Sequence, residues 1–368
     1  MQTVEDWLRT NGVAVAVDIT GRAFDTNSDG SVVVGCLGSL SGGNCTANAF
    51  IARVAAAGNG LVTLADVQES LAVSAQGAGM ALTAAGLVLN GAHSRPLARR
   101  VPAGKNAFWL AGDWGRDDHD ARSGGLGLAE VGLGRNFGAM QLNVSLGQTW
   151  AKQDLSLSGR AKADGTYLLA EALIPISGAL WGTVGGYAHR GNADLRRGYL
   201  NAGVPDQSTG TPGTQTWGLR GRLDWDKAAR LAGTELSPYA DLTIIEAKLD
   251  GYTESGGGFP ARFNARKDTA TELRLGVNAS RPITGDARLV GTLEAAHRFE
   301  NSGVRTTGNL VGLFAFDLPG TANRRDWLRA AIGVEGKLGE GTASLMLNAT
   351  TKGEAPSYWL AASWQMAF

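Results

Sequence analysis

The residues of this sequence that could do chemistry are few and widely spaced. Two cysteines, Cys36 and Cys45, bracket a Gly/Ser/Asn-rich stretch. That spacing suits a local disulfide closing a hairpin loop in an oxidising compartment, and two unrelated thiols are the alternative. Zinc is disfavoured, because the nearest histidine is His93. The run Asp25-Thr-Asn27-Ser-Asp29-Gly30 matches the first half of a calcium loop. Its twelfth position is Cys36, where a bidentate Glu is needed. A polar hairpin turn joining strands at Val13–Ile19 and Ser31–Gly35 is the expectation. His93, His119, His189 and His297 are scattered, and His119 sits in a solvated polar run, Arg116-Asp-Asp-His-Asp120. No nucleophile elbow, phosphate loop or zinc-helix motif occurs. The expectation is a protein with no metal, no cofactor and no enzymatic activity.

Composition sharpens this. The 368 residues carry 34 basic and 34 acidic side chains, for zero formal charge, and 43% are hydrophobic. Zero net charge argues against nucleic acid as a partner, and the hydrophobic content argues against disorder. Mean hydropathy is −0.08, and no stretch reaches the roughly 18 apolar residues of a membrane-spanning helix. Glycine, at 53 residues, is about twice its usual share. Ten tryptophans accompany it. The opening residues, Met1 to Trp7, lack a basic region and an apolar run, so they are not a signal peptide. The sequence therefore reads as cytosolic, or as a fragment whose signal peptide and upstream part are missing.

The elements that position these residues fall into three parts: 1–60, short and β-rich; 61–105, a linker; and 106–368. In the linker, Thr63 or Asp66 could cap a slim helix over 61–90, with Asn90-Gly91 ending it. Its small side chains suit a narrow, enclosed space. From about 106 the hydrophobic period becomes two. Leu273, Leu275 and Val277 alternate with Glu272, Arg274 and Gly276, and Trp217, Leu219 and Leu223 alternate with Arg220, Arg222 and Asp224. Twelve such segments are expected near 107–115, 123–133, 138–150, 162–173, 178–190, 213–225, 237–250, 267–280, 286–300, 326–337, 341–350 and 357–368. Connections after odd segments tend to be long (191–212, 251–266, 301–325) and those after even ones tight. Residues 302–316 are assigned to a long external loop, which keeps the strand count even.

Even number and alternating loop length are the pattern of a transmembrane β-barrel. The predicted strands are longer than the ~5–6 residues usual in soluble sheets. Aromatic residues near their ends (Phe108, Trp109, Trp114, Trp150, Trp217, Trp225, Trp327, Tyr358, Trp359, Trp364, Phe368) suit interfacial girdles. The polar faces mix charge signs: Glu171, Arg220, Arg222, Asp224, Glu272, Arg274, Arg288, Glu294, Arg298 and Glu335 are expected to line a lumen. The fold class is all-β: a twelve-stranded antiparallel transmembrane barrel with the linker helix in its lumen and a short β-rich N-terminal segment.

The final strand alternates Tyr358, Leu360, Trp364 and Met366 and ends on Phe368. This resembles the C-terminal targeting signal of bacterial outer-membrane proteins. With the small-residue helix before the first strand, residues 61–368 resemble the translocator domain of monomeric (type V) autotransporters. Phe108-Trp-Leu-Ala-Gly-Asp113-Trp114-Gly-Arg116, Gly198-Tyr-Leu-Asn-Ala-Gly203, Gly256-Gly-Gly-Phe-Pro260 and His297-Arg-Phe299 add to the likeness. Residues 27–53 resemble the last unit of an HAF-type passenger repeat. The resemblance implies a Gram-negative outer-membrane location, with the passenger side at the cell surface. It also implies a helix plugging the pore, a remnant of the exported passenger, a monomeric state, and outer-membrane lipid, lipopolysaccharide and the barrel-assembly machinery as partners. Some members cut their own linker by cyclisation of an asparagine. Asn90-Gly91 is the position this would use here, with Glu171, Glu272 or Glu294 assisting, and a plain helix-ending turn is the competing reading. Arg196-Arg197, in the long 190–212 connection, reads as facing lipopolysaccharide or solvent. The rival functions are a small porin or channel, or an outer-membrane adhesin acting through its external loops.

Overall fold

The computed structural model describes residues 2–368 apart from 17–18, 39, 42–43, 46–48, 74–75, 120–122 and 354–355, and of the side chains at 40–41, 44–45, 73 and 76–78 nothing is said. The described part of 106–368 is dominated by one closed ring of twelve antiparallel strands: β1 (Asn106–Asp117), β2 (Ser123–Asn136), β3 (Gln141–Asp154), β4 (Arg160–Ser177), β5 (Leu180–Asn201), β6 (Gly213–Trp225), β7 (Thr234–Leu249), β8 (Arg266–Pro282), β9 (Ala287–Arg298), β10 (Asp326–Leu338), β11 (Gly341–Thr350) and β12 (Tyr358–Ala367). Each pairs with its sequence neighbours, and β12 returns to β1 with Tyr358 opposite Arg116 and Ala367 opposite Ala107. The backbone of Phe368 exchanges hydrogen bonds with that of Asn106 at 2.8 and 3.0 Å. Closure leaves the ring no unpaired edge, which lipid would not tolerate.

The two faces are inverted relative to a soluble barrel. Leu133, Leu146, Val184, Leu219, Leu275, Leu293, Leu328 and Leu347 are exposed on the outside. Glu130, Glu171, Arg220, Arg274, Glu294 and Arg329 are buried inside. An outward Leu gains nothing in water but does in hydrocarbon, so this arrangement is stable only in a membrane. Leu219, midway along β6 and more than half exposed, is a direct probe. Leu219→Arg should cost about 2–4 kcal/mol in denaturant unfolding from bilayers, by the midplane penalty for a lipid-facing charge. Leu219→Ile should cost little.

Twelve strands about 4.8 Å apart and tilted about 40° give a backbone diameter near 24 Å. Side chains from opposite walls leave room for about one helix. That helix is α3 (Gln76–Leu87), whose sequence is mostly Ala and Gly. Before it stands α2 (Leu64–Val73), where Thr63 caps the amide of Asp66 at 3.1 Å. The helix starts later than residue 61 because Gly58–Thr63 is the last strand of an N-terminal sheet.

That sheet orders Thr20–Thr26, Val32–Leu37, Ala49–Ala55 and Gly58–Thr63 antiparallel, beside a short helix, α1 (Val4–Thr10). Among the described residues of Val13–Ile19 no strand is found: the strand begins at Thr20, where the buried Glu5 carboxylate accepts the amides of Ile19 (3.1 Å) and Thr20 (2.8 Å). Val13, Val15 and Ile19 instead pack against the cluster of Leu8, Phe50, Ala52, Leu61 and Ala202. Residues 27–31 form a polar hairpin turn, with the Asp29 carboxylate accepting from the Ser31 amide and Asn27 from the Val32 amide, both at 2.9 Å. Cys36 is disulfide-bonded, while the side chain of Cys45 lies outside the described residues.

Three further expectations change. The 191–212 connection is not a loop: β5 runs on to Asn201 and forms a hairpin with Val204–Gly210. Residues 302–316 stay out of the ring, as assigned, but contribute Thr306–Leu310 and part of Ala315–Leu318 to a separate four-stranded sheet with Tyr252–Thr253 and Ala261–Phe263. Trp109, Trp327 and Trp359 are buried in the lumen rather than in a girdle, because they share the inward parity of Asp113 and Arg329. Trp114, Trp150, Trp217 and Trp225 do face outward.

Candidate functional site

The lumen is filled from within by the chain itself. Below Leu87 the helical ladder loosens into a π-turn, Val88–Ala92, and then a 3₁₀ turn, Pro96–Arg99. Backbone carbonyls released from a helix need new donors when buried, and the wall supplies them. Arg329 reaches the Asn90 carbonyl at 2.5 Å, Arg220 the His93 carbonyl at 2.8 Å and Gln141 the Arg99 carbonyl at 2.8 Å. Gln365, on the inward face of β12, holds the Ala98 carbonyl. At the end of α3 and the start of the π-turn, Ala85, Leu87, Val88 and Leu89 pack with Leu126, Leu128, Tyr167, Leu169 and Trp359.

At the centre sits His93. Its ring nitrogens lie 2.7 Å from Glu171 and 2.9 Å from Glu130. Glu130 also receives Arg99 at 3.1 Å, the Trp109 indole at 2.9 Å and the Tyr167 hydroxyl at 2.7 Å. Arg220 links Glu171 (3.4 Å) to Asp241 (2.5 Å), and Arg222 extends the chain to Asp224 at 2.7 Å. A second cluster joins Arg274 to Glu272 (2.6 Å) and Glu294 (2.8 Å). At the short-turn mouth, Arg95 meets Glu335 at 3.3 Å, with Arg288 3.7 Å away on the other carboxylate oxygen. Opposite charges satisfy each other around the linker, an arrangement that fixes its position and register.

Of the ten wall charges expected, Glu171, Arg220, Arg222, Asp224, Glu272, Arg274 and Glu294 are buried in these clusters. Glu335 and the half-exposed Arg288 stand at the short-turn mouth. Arg298 lines a cavity at the opposite end. Sequence reading missed Glu130, Asp241 and the linker's own His93, Arg95 and Arg99. For the linker residues the available signal was that His93, Arg95 and Arg99 follow a stretch, 70–92, with no charged residue. Tyr358 and Leu360 face outward on β12, Phe368 just beyond it is exposed, and Trp364 packs edge-on against Phe108 at 6.3 Å. Arg197 corrects another expectation: it is buried, bound to Glu254 at 2.7 Å, whereas Arg196 is exposed.

A closed ring threaded by its own N-terminal linker is the feature to compare, and residues 108–350 match the family described as autotransporter beta-domain. The chain belongs to that family. As a member it is an outer-membrane translocator barrel with a helix before its first strand. The translocator domain of the autotransporter NalP from Neisseria meningitidis superimposes with a TM-score of 0.62 at 14% identity, covering 81% of this chain and 99% of that one. The β domain of the Bordetella autotransporter BrkA gives 0.50 at 16% identity, covering 71% and 98%. At these identities the likeness is one of fold. An uncharacterized protein in the trpE-trpG intergenic region of Pseudomonas putida is 30% identical over 131 residues, 35% of this chain. The match spans 22% of that relative's length.

Proposed function

We propose that this autotransporter barrel anchors a passenger joined at its N-terminal side, supports its export, and is then sealed by its linker. The observation that carries this is the path of the chain. The N-terminal sheet lies beyond the long-loop end, α3 crosses the lumen, and Arg95 to Arg100 emerge among the tight turns at the opposite mouth. Only one orientation of such a thread leaves residues 1–63 at the surface. The long-loop end then faces lipopolysaccharide, and β12 with Phe368 is the segment read by the barrel-assembly machinery. The barrel acts as a monomer without cofactor or catalytic activity of its own. An epitope placed before residue 1, behind a supplied signal peptide, should be removed by protease added to intact cells. An epitope protected until the outer membrane is opened would refute export.

A second reading concerns Asn90. It is buried, and a Cβ at Gly91 would lie 2.1 Å from the buried Asp113 carboxylate, so an acid sits beside the Asn-Gly bond. Against scission, Glu171, Glu272 and Glu294 are each committed to arginine or histidine partners. We favour an intact linker. The assembled chain should have the mass of a single uncut polypeptide, and Asn90→Ala should shift that mass only by the substitution itself. Two fragments from the unaltered chain, with a single uncut chain from the variant, would establish self-cleavage.

A further inference from the structure

The long-loop end of the barrel carries a built seat, distinct from the lumen, and the N-terminal unit occupies it. Arg53, on the strand Ala49–Ala55, is 1% exposed, although none of its hydrogen bonds is to a carboxylate. Its guanidinium donates to the carbonyls of Gly258 (2.6 and 2.9 Å) and Val311 (2.5 Å), which belong to two different barrel connections, and to Ala57 (3.0 Å). It also lies 4.9 Å over the ring of Phe259. The tip of the β5 hairpin enters the sheet from the side. Ala202 donates its amide to Leu61 (2.7 Å) and accepts from Ala16 (3.1 Å), while the Asn201 side chain receives the Leu61 amide at 3.0 Å.

The two parts meet closely at glycines, where a side chain would not fit. A Cβ on Gly60 would fall 1.9 Å from the Asn201 Oδ1, and one on Gly258 would fall 2.4 Å from the Asn59 carbonyl. Helix α2 adds an apolar contact, with Val67 and Leu71 in a cup formed by Tyr199, Phe259, Leu310 and Phe316. Arg197 from β5 closes over it, donating to the Ser70 hydroxyl at 3.1 Å.

A linker that held the N-terminal unit by the covalent chain alone would need none of this. Buried carbonyls and a buried guanidinium that satisfy each other across two parts of the chain make separation costly whether or not the backbone between them is continuous. We propose that the extracellular connections are a non-covalent receptor for the chain's own residues 4–72, so that a cut in the linker leaves the N-terminal unit on the barrel. The proposal depends on the barrel fold and not on export.

To test it, a Gly/Ser segment of about 20 residues bearing a site-specific protease sequence is inserted between residues 74 and 75 of the full chain. The detergent-folded protein is digested until a boiled gel shows no full-length chain. The two pieces should then co-elute on size exclusion. Arg53→Met should release the N-terminal piece at least about tenfold more readily. Asn201→Ala, which alters only the barrel side and leaves the released piece unchanged, should do the same in direction. Unboiled barrel fragments must still migrate faster than boiled ones, which separates loss of the seat from loss of the barrel. Prompt separation of the unaltered pieces would overturn the proposal, as would retention that neither variant weakens.

Discussion

Removing residues 1–99 should turn a silent protein into an open channel. The intact chain fills its lumen with α3 and the turns below it. Without them a bore of about 10 Å through about 30 Å of hydrocarbon remains, which in 1 M KCl conducts on the order of a nanosiemens. Planar bilayers should show steady, ohmic steps for the shortened chain and only rare events for the full one. The same experiment separates a sealed translocator from a porin, whose conductance would not depend on the linker.

The second large effect is expected at Glu130. This carboxylate receives His93 and Arg99 from the linker and Trp109 and Tyr167 from the wall. Replacing a buried ionic cluster by well-packed apolar residues can be neutral, but deleting Glu130 leaves the buried Arg99 without its carboxylate and His93 with Glu171 alone, and breaking a buried pair in this way costs about 3–5 kcal/mol. Glu130→Ala should therefore unlatch the linker while leaving the ring closed. Hydrogen exchange at residues 88–99 should accelerate by two orders of magnitude or more, since each 1.4 kcal/mol is tenfold. Exchange in β1–β12 should change little, and leak conductance should rise. Unchanged exchange in the linker would show that the apolar packing around Leu87 and Leu89 holds it alone.

Much of the ring was legible because the bilayer imposes its rule strand by strand. Each segment must alternate, and each must turn back at a membrane face. The segment expected at 213–225 coincides with β6, and 341–350 with β11. Parity was also enough to place Arg220, Arg274 and Glu294 inside. It would have placed Trp109 and Trp359 there too, but aromatic content near strand ends was read without asking which face each ring was on.

What was not legible lies outside the bilayer or depends on distant partners. The upper part of β5 continues its hydrogen bonds beyond the membrane, where no lipid enforces apolar alternation, and so it looked like a loop. Arg53 and Arg197 are ordinary surface arginines by sequence, and only the folded connections reveal carbonyls and a carboxylate waiting for them. His93 meets Glu130 and Glu171 across 37 and 78 residues of chain. No spacing rule connects those positions, because the register of twelve strands decides which side chains share a level of the lumen.

The claim on which the rest depends is that residues 106–368 close into a membrane barrel. Gel migration of the detergent-refolded chain, boiled against unboiled, tests it most directly. A closed ring of twelve strands resists the detergent and should run as a compact, faster band until heated. Boiled and unboiled samples running together would contradict the account.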